Sequence, residues 1–216
     1  MANPSTRRTI VKVCGLTRLE DAARALDAGA DWLGFVVRAE GPRAIDPEQA
    51  AQIVQALPRA TIVAVMVSPS PDEALTLARR IGATRVQVHR VDAARWSEEF
   101  PLPVTIAVGV GADGRPTAAL PSARHLVMLD TAHPTLAGGT GVAFPWAAAA
   151  ELAAVRPVLL AGGLDGDNVG EAIERVRPFG VDASSRLESS PGIKDPERVR
   201  RFVAAVRASD ERSLLA

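Results

Sequence analysis

The stretch TIVKVCGLTRLEDAARALDAGADWLGFVV, residues 9–37, decides the fold. Its opening run IVKVC (10–14) is short and mostly β-branched, as a buried strand is. RLEDAARALDAG (18–29) then repeats apolar residues at helical spacing and closes on Gly29, just past a helix end. DWLGFVV (31–37) is a second apolar run. Strand, helix and strand in succession build a parallel pair.

The alternation continues along the chain. A helix is expected from Pro47 to about Leu57, a strand at TIVAVMV (61–67), and a helix over SPSPDEALTLARRIG (68–82). In that helix Ser and Pro mark the start and Gly82 the end. ATRVQVH (83–89) reads as strand four, VDAARWSEEF (91–100) as a short helix, and LPVTIAVGV (102–110) as strand five. A weak, short helix is expected around 115–121. ARHLVMLD (123–130), PVLLAGG (157–163) and FGVDASS (179–185) are the last three strands. Helices are expected over DNVGEAIERVRP (167–178) and DPERVRRFVAAVRA (195–208). Eight units of roughly 27 residues predict an α/β fold, a single-domain (β/α)8 TIM barrel over residues 1–216 with a flexible tail of about eight residues at its start. An open, doubly wound sheet is disfavoured because no dinucleotide glycine fingerprint follows strand one.

Composition narrows the function. Formal charge balances at zero, with 25 basic and 25 acidic residues, which argues against a nucleic-acid or polybasic membrane surface. Lys12 and Lys194 are the only lysines, so Schiff-base chemistry on the protein has few candidates. One cysteine excludes an internal disulfide and a multi-cysteine metal site. MANPSTRR lacks an apolar signal region, and the expectation is a cytoplasmic protein.

In this architecture the site lies at the C-terminal strand ends. That rule selects Cys14, the 38–43 loop, His89, Asp130, Gly162, Gly163, Ser184 and Ser185, and sets aside Trp96 and His125. Lys12 shares a face with Cys14, since strand side chains alternate. A lysine inside a barrel needs a partner, and Asp182 on the adjacent eighth strand is expected to supply it. A nearby cation lowers a thiol's pKa. A lone buried cysteine also serves as mere packing. Asp130 ends an apolar strand, where burial raises a carboxyl's pKa toward use as a general acid; the alternative is a structural loop cap. Gly138, Gly139 and Gly141 in GGTG allow close backbone approach to a ligand. Gly162, Gly163, Ser184 and Ser185 lie where barrels of this kind bind phosphate, in the loops after strands seven and eight. Arg43 is a bidentate donor for a carboxylate, or a plain surface arginine. Gln87 and His89 share a face at the rim.

These motifs resemble the phosphoribosylanthranilate isomerase family over essentially the whole chain. The matching stretches are KVCGLTRLEDA, GADWLGFVV with PRAI, VQVH, LDT, GGTG, LAGGLDGDNV and VRPFGVDASS, in that order. The resemblance implies a barrel without cofactor or metal that performs an Amadori rearrangement of a phosphorylated small molecule, N-(5-phosphoribosyl)anthranilate, in tryptophan biosynthesis. It implies Cys14 as general base, Asp130 as general acid, Arg43 as holder of the anthranilate carboxylate, and the GGL and SS loops as the phosphate site. Gln87, His89, Gly138, Gly139, Gly141 and Asp182 are expected substrate contacts, with Arg186 added at the phosphate. No nucleic-acid or membrane partner is expected, and the chain is expected to be a monomer or weak homo-oligomer. The sequence departs from the family at Arg38–Pro42, at Val142–Pro145, and at Arg90 and Arg186, which stand where the family carries glycine. A related isomerase acting on another N-glycosylated amine or phosphosugar, or a non-catalytic phosphosugar-binding barrel, are the competing readings.

Overall fold

The computed structural model describes residues 8–111, 115–131 and 146–215. Eight strands close into a parallel barrel in sequence order. They are β1 (Ile10–Cys14), β2 (Trp32–Arg38), β3 (Thr61–Val67), β4 (Arg85–His89), β5 (Val104–Val110), β6 (Leu126–Thr131), β7 (Val158–Leu160) and β8 (Gly180–Ala183). The seam is the pairing of β1 with β8, where Lys12 stands opposite Asp182. Parallel strands demand a crossover between neighbours, and the amphipathic segments read from the sequence supply most of them.

The helices α1 (Leu19–Asp27), α2 (Pro47–Gln55), α3 (Pro71–Ile81), α4 (Trp146–Ala153) and α5 (Val169–Val176) connect successive strands, and α6 (Pro196–Leu215) follows β8. Local chemistry sets their ends. Asp46 and Ser70 accept from the backbone N–H groups of Glu48 and Glu73, and Pro47 and Pro71 begin their helices. Gly82 ends α3 in the left-handed conformation.

Three sequence expectations are corrected. The described residues of 115–121 form no helix: Pro116 instead bridges back to Val110, because a segment holding two prolines, Pro116 and Pro121, cannot sustain the ladder. Of 91–100, only Ala93–Arg95 makes a single 3-10 turn. The closing helix runs on to Leu215, and α4 forms where the sequence pattern predicts no helix.

Two apolar layers result. One lies between barrel and helices, with Val11, Val13, Leu33, Phe35, Ile62 and Phe202 among its members. The other fills the barrel itself, where Cys14, Trp32, Val63, Val65, Met128, Leu159 and Ala161 pack together. Alternation along each strand divides the layers: Val13 faces the helices, while Cys14 faces the interior. Burying both faces explains why the strands read as continuous apolar runs.

Candidate active site

Cys14 is the last residue of β1 and is 7% exposed. Its neighbour across the ladder is Gly34. A Cβ on Gly34 would lie 2.9 Å from the Cys14 sulfur and 3.1 Å from Lys12 Nζ. The glycine in DWLGFVV therefore makes the space in which thiol and ammonium sit together.

Lys12 is fully buried and donates through Nζ to Asp182 Oδ1 at 2.8 Å. This is the partner expected from the sequence. Burial alone would lower the Lys12 pKa, but Asp182 and Cys14 outweigh it and hold the ammonium above its usual value. The thiol behaves otherwise than the sequence suggested. Burial pushes the Cys14 pKa up, and the downward pull of Lys12 does not overcome it. The sequence shows a lysine two residues from the cysteine; it does not show that the pair is shut away from water.

Asp130 lies near the end of β6, opposite Gly109 of β5, and is 8% exposed. It shares a concavity with Ala161, Gly162, Gly163, Leu164, Asp182, Ala183, Ser184, Ser185 and Arg186. Thus the carboxylate, the Lys12 partner and both predicted phosphate loops line one hollow. Gly162 and Gly163 take φ of +92° and +65°, a conformation that turns the backbone sharply after β7 and favours glycine. Asn168 Nδ2 donates to the Gly163 carbonyl at 2.8 Å and ties this turn to the start of α5. After β8, Ser185–Leu187 forms a 3-10 turn. The Ser184 hydroxyl donates to the Cys14 carbonyl at 3.0 Å, so its proton faces β1 and not the hollow.

Arg186 is a refinement of the sequence reading. Its φ is not positive, so the position does not require the family's glycine. Its guanidinium lies 3.8 Å from Asp165 and is half exposed. Arg90, by contrast, has φ of +53°, the left-handed region where an arginine is strained. A cavity of about 340 Å³ opens beyond Arg186, between Asp165, Gly166, Asp167, Arg198 and Arg201. Its arginines pair with acids, Arg186 with Asp165, Arg201 with Asp167 and Arg198 with Asp195, and it contains neither Cys14 nor Asp130.

Gln87 and His89 face the barrel interior from β4, with Gln87 Nε2 and His89 Nε2 2.9 Å apart. Burial lowers the His89 pKa to about 4, aided by Lys12 and Arg90, so the ring is neutral at pH 7. Trp96 and His125 bind one another away from the site, His125 Nε2 lying 3.0 Å from the Trp96 carbonyl. Gly138, Gly139, Gly141 and Val142–Pro145 lie outside the described residues.

Arg43 returns to the mouth because the loop after β2 doubles back: Ala44 bridges Val36, and Ile45 N–H donates to the Val36 carbonyl at 2.9 Å. Gly15, with φ of +71°, lets the loop close in; a Cβ there would lie 2.9 Å from both Arg43 Cδ and Ser184 Oγ. The Arg43 guanidinium is already engaged, Nε and Nη2 each donating at 2.8 Å to the carboxylate of Glu188. Glu188 is a residue the sequence reading did not single out. Arg38, in the stretch that departs from the family, turns away to Glu73 on α3, 2.6 Å from its Nε.

Comparison with known proteins agrees with this architecture. Residues 11–205 match the family described as N-(5'phosphoribosyl)anthranilate (PRA) isomerase. An N-(5'-phosphoribosyl)anthranilate isomerase of Pseudomonas fluorescens is 42% identical over 200 residues, covering 91% of this chain and 97% of the relative. A crystal structure of phosphoribosyl anthranilate isomerase from Thermotoga maritima superposes with a TM-score of 0.80 at 32% identity, covering 93% of this chain and 99% of the other. A solved phosphoribosyl anthranilate isomerase in complex with reduced 1-(o-carboxyphenylamino)-1-deoxyribulose 5-phosphate superposes with a TM-score of 0.77 at 31% identity, with coverage of 93% and 99%.

Proposed function

This chain belongs to the N-(5'-phosphoribosyl)anthranilate isomerase family, and we propose that its barrel mouth performs the family's Amadori rearrangement with Cys14 as general base and Asp130 as general acid. The observation that carries the assignment is the convergence, at one end of one barrel, of a buried thiol and carboxylate with two phosphate-type loops.

Asp130 protonates the furanose ring oxygen, and the ring opens to a protonated Schiff base on the anthranilate nitrogen. Cys14, as thiolate, then takes the proton from ribose C2. The positive nitrogen accepts the electron pair, and the resulting enolamine tautomerises to the ketone as C1 gains a proton. The raised thiol pKa fits this sequence: a cationic intermediate beside the sulfur favours the thiolate at the step that needs it. Arg43 holds the anthranilate carboxylate and the Gly162–Gly163 and Ser184–Ser185 loops hold the phosphate, which fixes C2 near the sulfur. Gln87, His89 and Asp182 complete the polar lining, and Arg186 meets the phosphate from the rim.

The phosphorylated ligand bound by a solved relative supports a phosphorylated small-molecule substrate here. No helix among the described residues is long and apolar enough to cross a membrane. We assign the chain to the cytoplasm as a single domain, acting as a monomer or weak homo-oligomer.

The test is to supply phosphoribosylanthranilate and follow loss of its fluorescence with wild type, Cys14→Ser and Asp130→Asn. Each variant is expected to lose at least a hundredfold in kcat, within the usual range for a removed acid or base. Undiminished turnover in either variant would overturn its assigned role. Absence of wild-type turnover would shift the assignment to another N-glycosylated amine.

A further inference from the structure

Arg43, Glu188 and Lys194 form a cluster whose charges do not balance. The hairpin after the barrel, β9 (Glu188–Ser190) and β10 (Ile193–Lys194), carries the last two residues. Glu188 Oε1 accepts from both Arg43 Nε and Lys194 Nζ, each at 2.8 Å, while Oε2 accepts from Arg43 Nη2. Glu188 and Lys194 are 6% and 3% exposed. Two cations thus share one carboxylate, and Arg43, whose side chain is 28% exposed, is the member of the trio open to a further carboxylate.

The guanidinium geometry shows where that carboxylate fits. Glu188 occupies the side edge of Arg43, formed by Nε and Nη2. The end edge, formed by Nη1 and the other proton of Nη2, is a second two-pronged donor pointing in a different direction. An arginine held along one edge presents the other without choosing among its many rotamers.

The hairpin is itself anchored on several sides. Lys194 N–H donates to Asp21 Oδ2 of α1 at 3.0 Å, and Arg198 Nη1 donates to the Glu188 carbonyl at 2.6 Å. At the hairpin turn, a Cβ on Gly192 would come within 2.4 Å of the Pro42 carbonyl, so the turn presses directly on the residue before Arg43. Lys194 Nζ also reaches the Ser184 carbonyl at 3.2 Å, linking the cluster to the loop that follows β8.

We infer that Glu188 is a positioning residue for substrate recognition: backed by Lys194, it locks the side edge of Arg43 so that the end edge receives the aromatic carboxylate. The inference rests on the proposed function, in which Arg43 is the carboxylate holder.

A double-mutant cycle on the full chain tests it, with kcat, KM for phosphoribosylanthranilate and thermal midpoint read for each variant. Glu188→Gln is expected to raise KM about tenfold, equivalent to roughly 1.4 kcal/mol, with a much smaller effect on kcat. In an Arg43→Ala background the same change is expected to leave KM within twofold, because the group it positions is gone. An equal KM increase in both backgrounds overturns the positioning role. An Arg43→Ala variant with wild-type KM overturns the underlying carboxylate assignment instead, so the two failures are distinguishable. Lys194→Met covers the case in which Glu188→Gln does not fold. It is expected to raise KM about threefold, and only when Arg43 is present; an unchanged KM overturns the inference.

Discussion

Lys12 and Asp182 are register partners across the β1–β8 seam, and Lys12 Nζ donates to Asp182 Oδ1 at 2.8 Å in the barrel interior. This side-chain pair ties together the two strands whose ladder closes the barrel, and it also sets the electrostatics beneath Cys14. Removing one member strands a buried charge. Lys12→Met is expected to destabilise the fold by about 3–5 kcal/mol, while Lys12→Met with Asp182→Asn recovers part of the loss. Urea unfolding of wild type and the two variants measures this; equal stability for all three would show that the pair is not closing the seam.

The thiol supplies a pH test. With Cys14 raised by burial, alkylation by iodoacetamide is expected to accelerate up to and beyond about pH 8.5, the ordinary thiol value. The Lys12→Met variant tests the cation's pull directly: losing Lys12 is expected to move the midpoint up. A midpoint below pH 8 in the wild type would contradict the burial argument.

Gly34 is expected to bear on activity through space alone. Gly34→Ala places a methyl 2.9 Å from the Cys14 sulfur, a distance at which something must move. The backbone on both sides is laddered, so the sulfur is expected to yield, with kcat falling about ten- to hundredfold. Kinetics beside a thermal melt separate this from unfolding. Wild-type kcat in a folded Gly34→Ala protein would mean that the sulfur's position is not critical.

His89 predicts a stability loss in acid. Its pKa is lowered to about 4 in the fold from an ordinary value of 6.5, so below pH 6.5 the unfolded chain binds the proton first. Stability contributed by the neutral ring is complete above 6.5 and lost progressively as pH falls to 4, on the order of 3 kcal/mol in total. Denaturant unfolding at pH 7, 5 and 4 should show a steeper decline for wild type than for His89→Gln. Parallel declines would rule out a buried neutral histidine.

Arg90 is strained where it stands. With φ of +53° it occupies a region that glycine enters freely, and Arg90→Gly is expected to stabilise the protein by about 1 kcal/mol. An unchanged or lower unfolding midpoint would show that the arginine side chain repays the strain through its own contacts.

Much of this site was legible in one dimension because strand-end position and alternation are local properties. IVKVC ends on Cys14 and alternates Lys12 onto the same face, and LVMLD carries an acid at the end of an apolar run. The β7 and β8 loops were readable from their glycines and serines. Where local signal was weak, the reading failed: 115–121 has no helix, and α4 sits after a long glycine-rich stretch that conceals its start. Glu188 could be found only by a weaker clue, the rarity of lysine, which marks Lys194 as a residue in need of a partner.

Local patterning determines the alternation of strand and helix, the eight-stranded parallel barrel, and the placement of Cys14 and Asp130 at or near strand ends. Periodicity and end signals act over a few residues and survive without tertiary context. The three-dimensional fold alone decided what those residues experience. It brought Glu188 to Arg43 across 145 positions of chain and Asp182 to Lys12 across 170. It also removed water from Cys14, so that burial outweighs a neighbouring ammonium. Partner and solvent depend on which distant segments pack together, and a thiol's pKa answers to both.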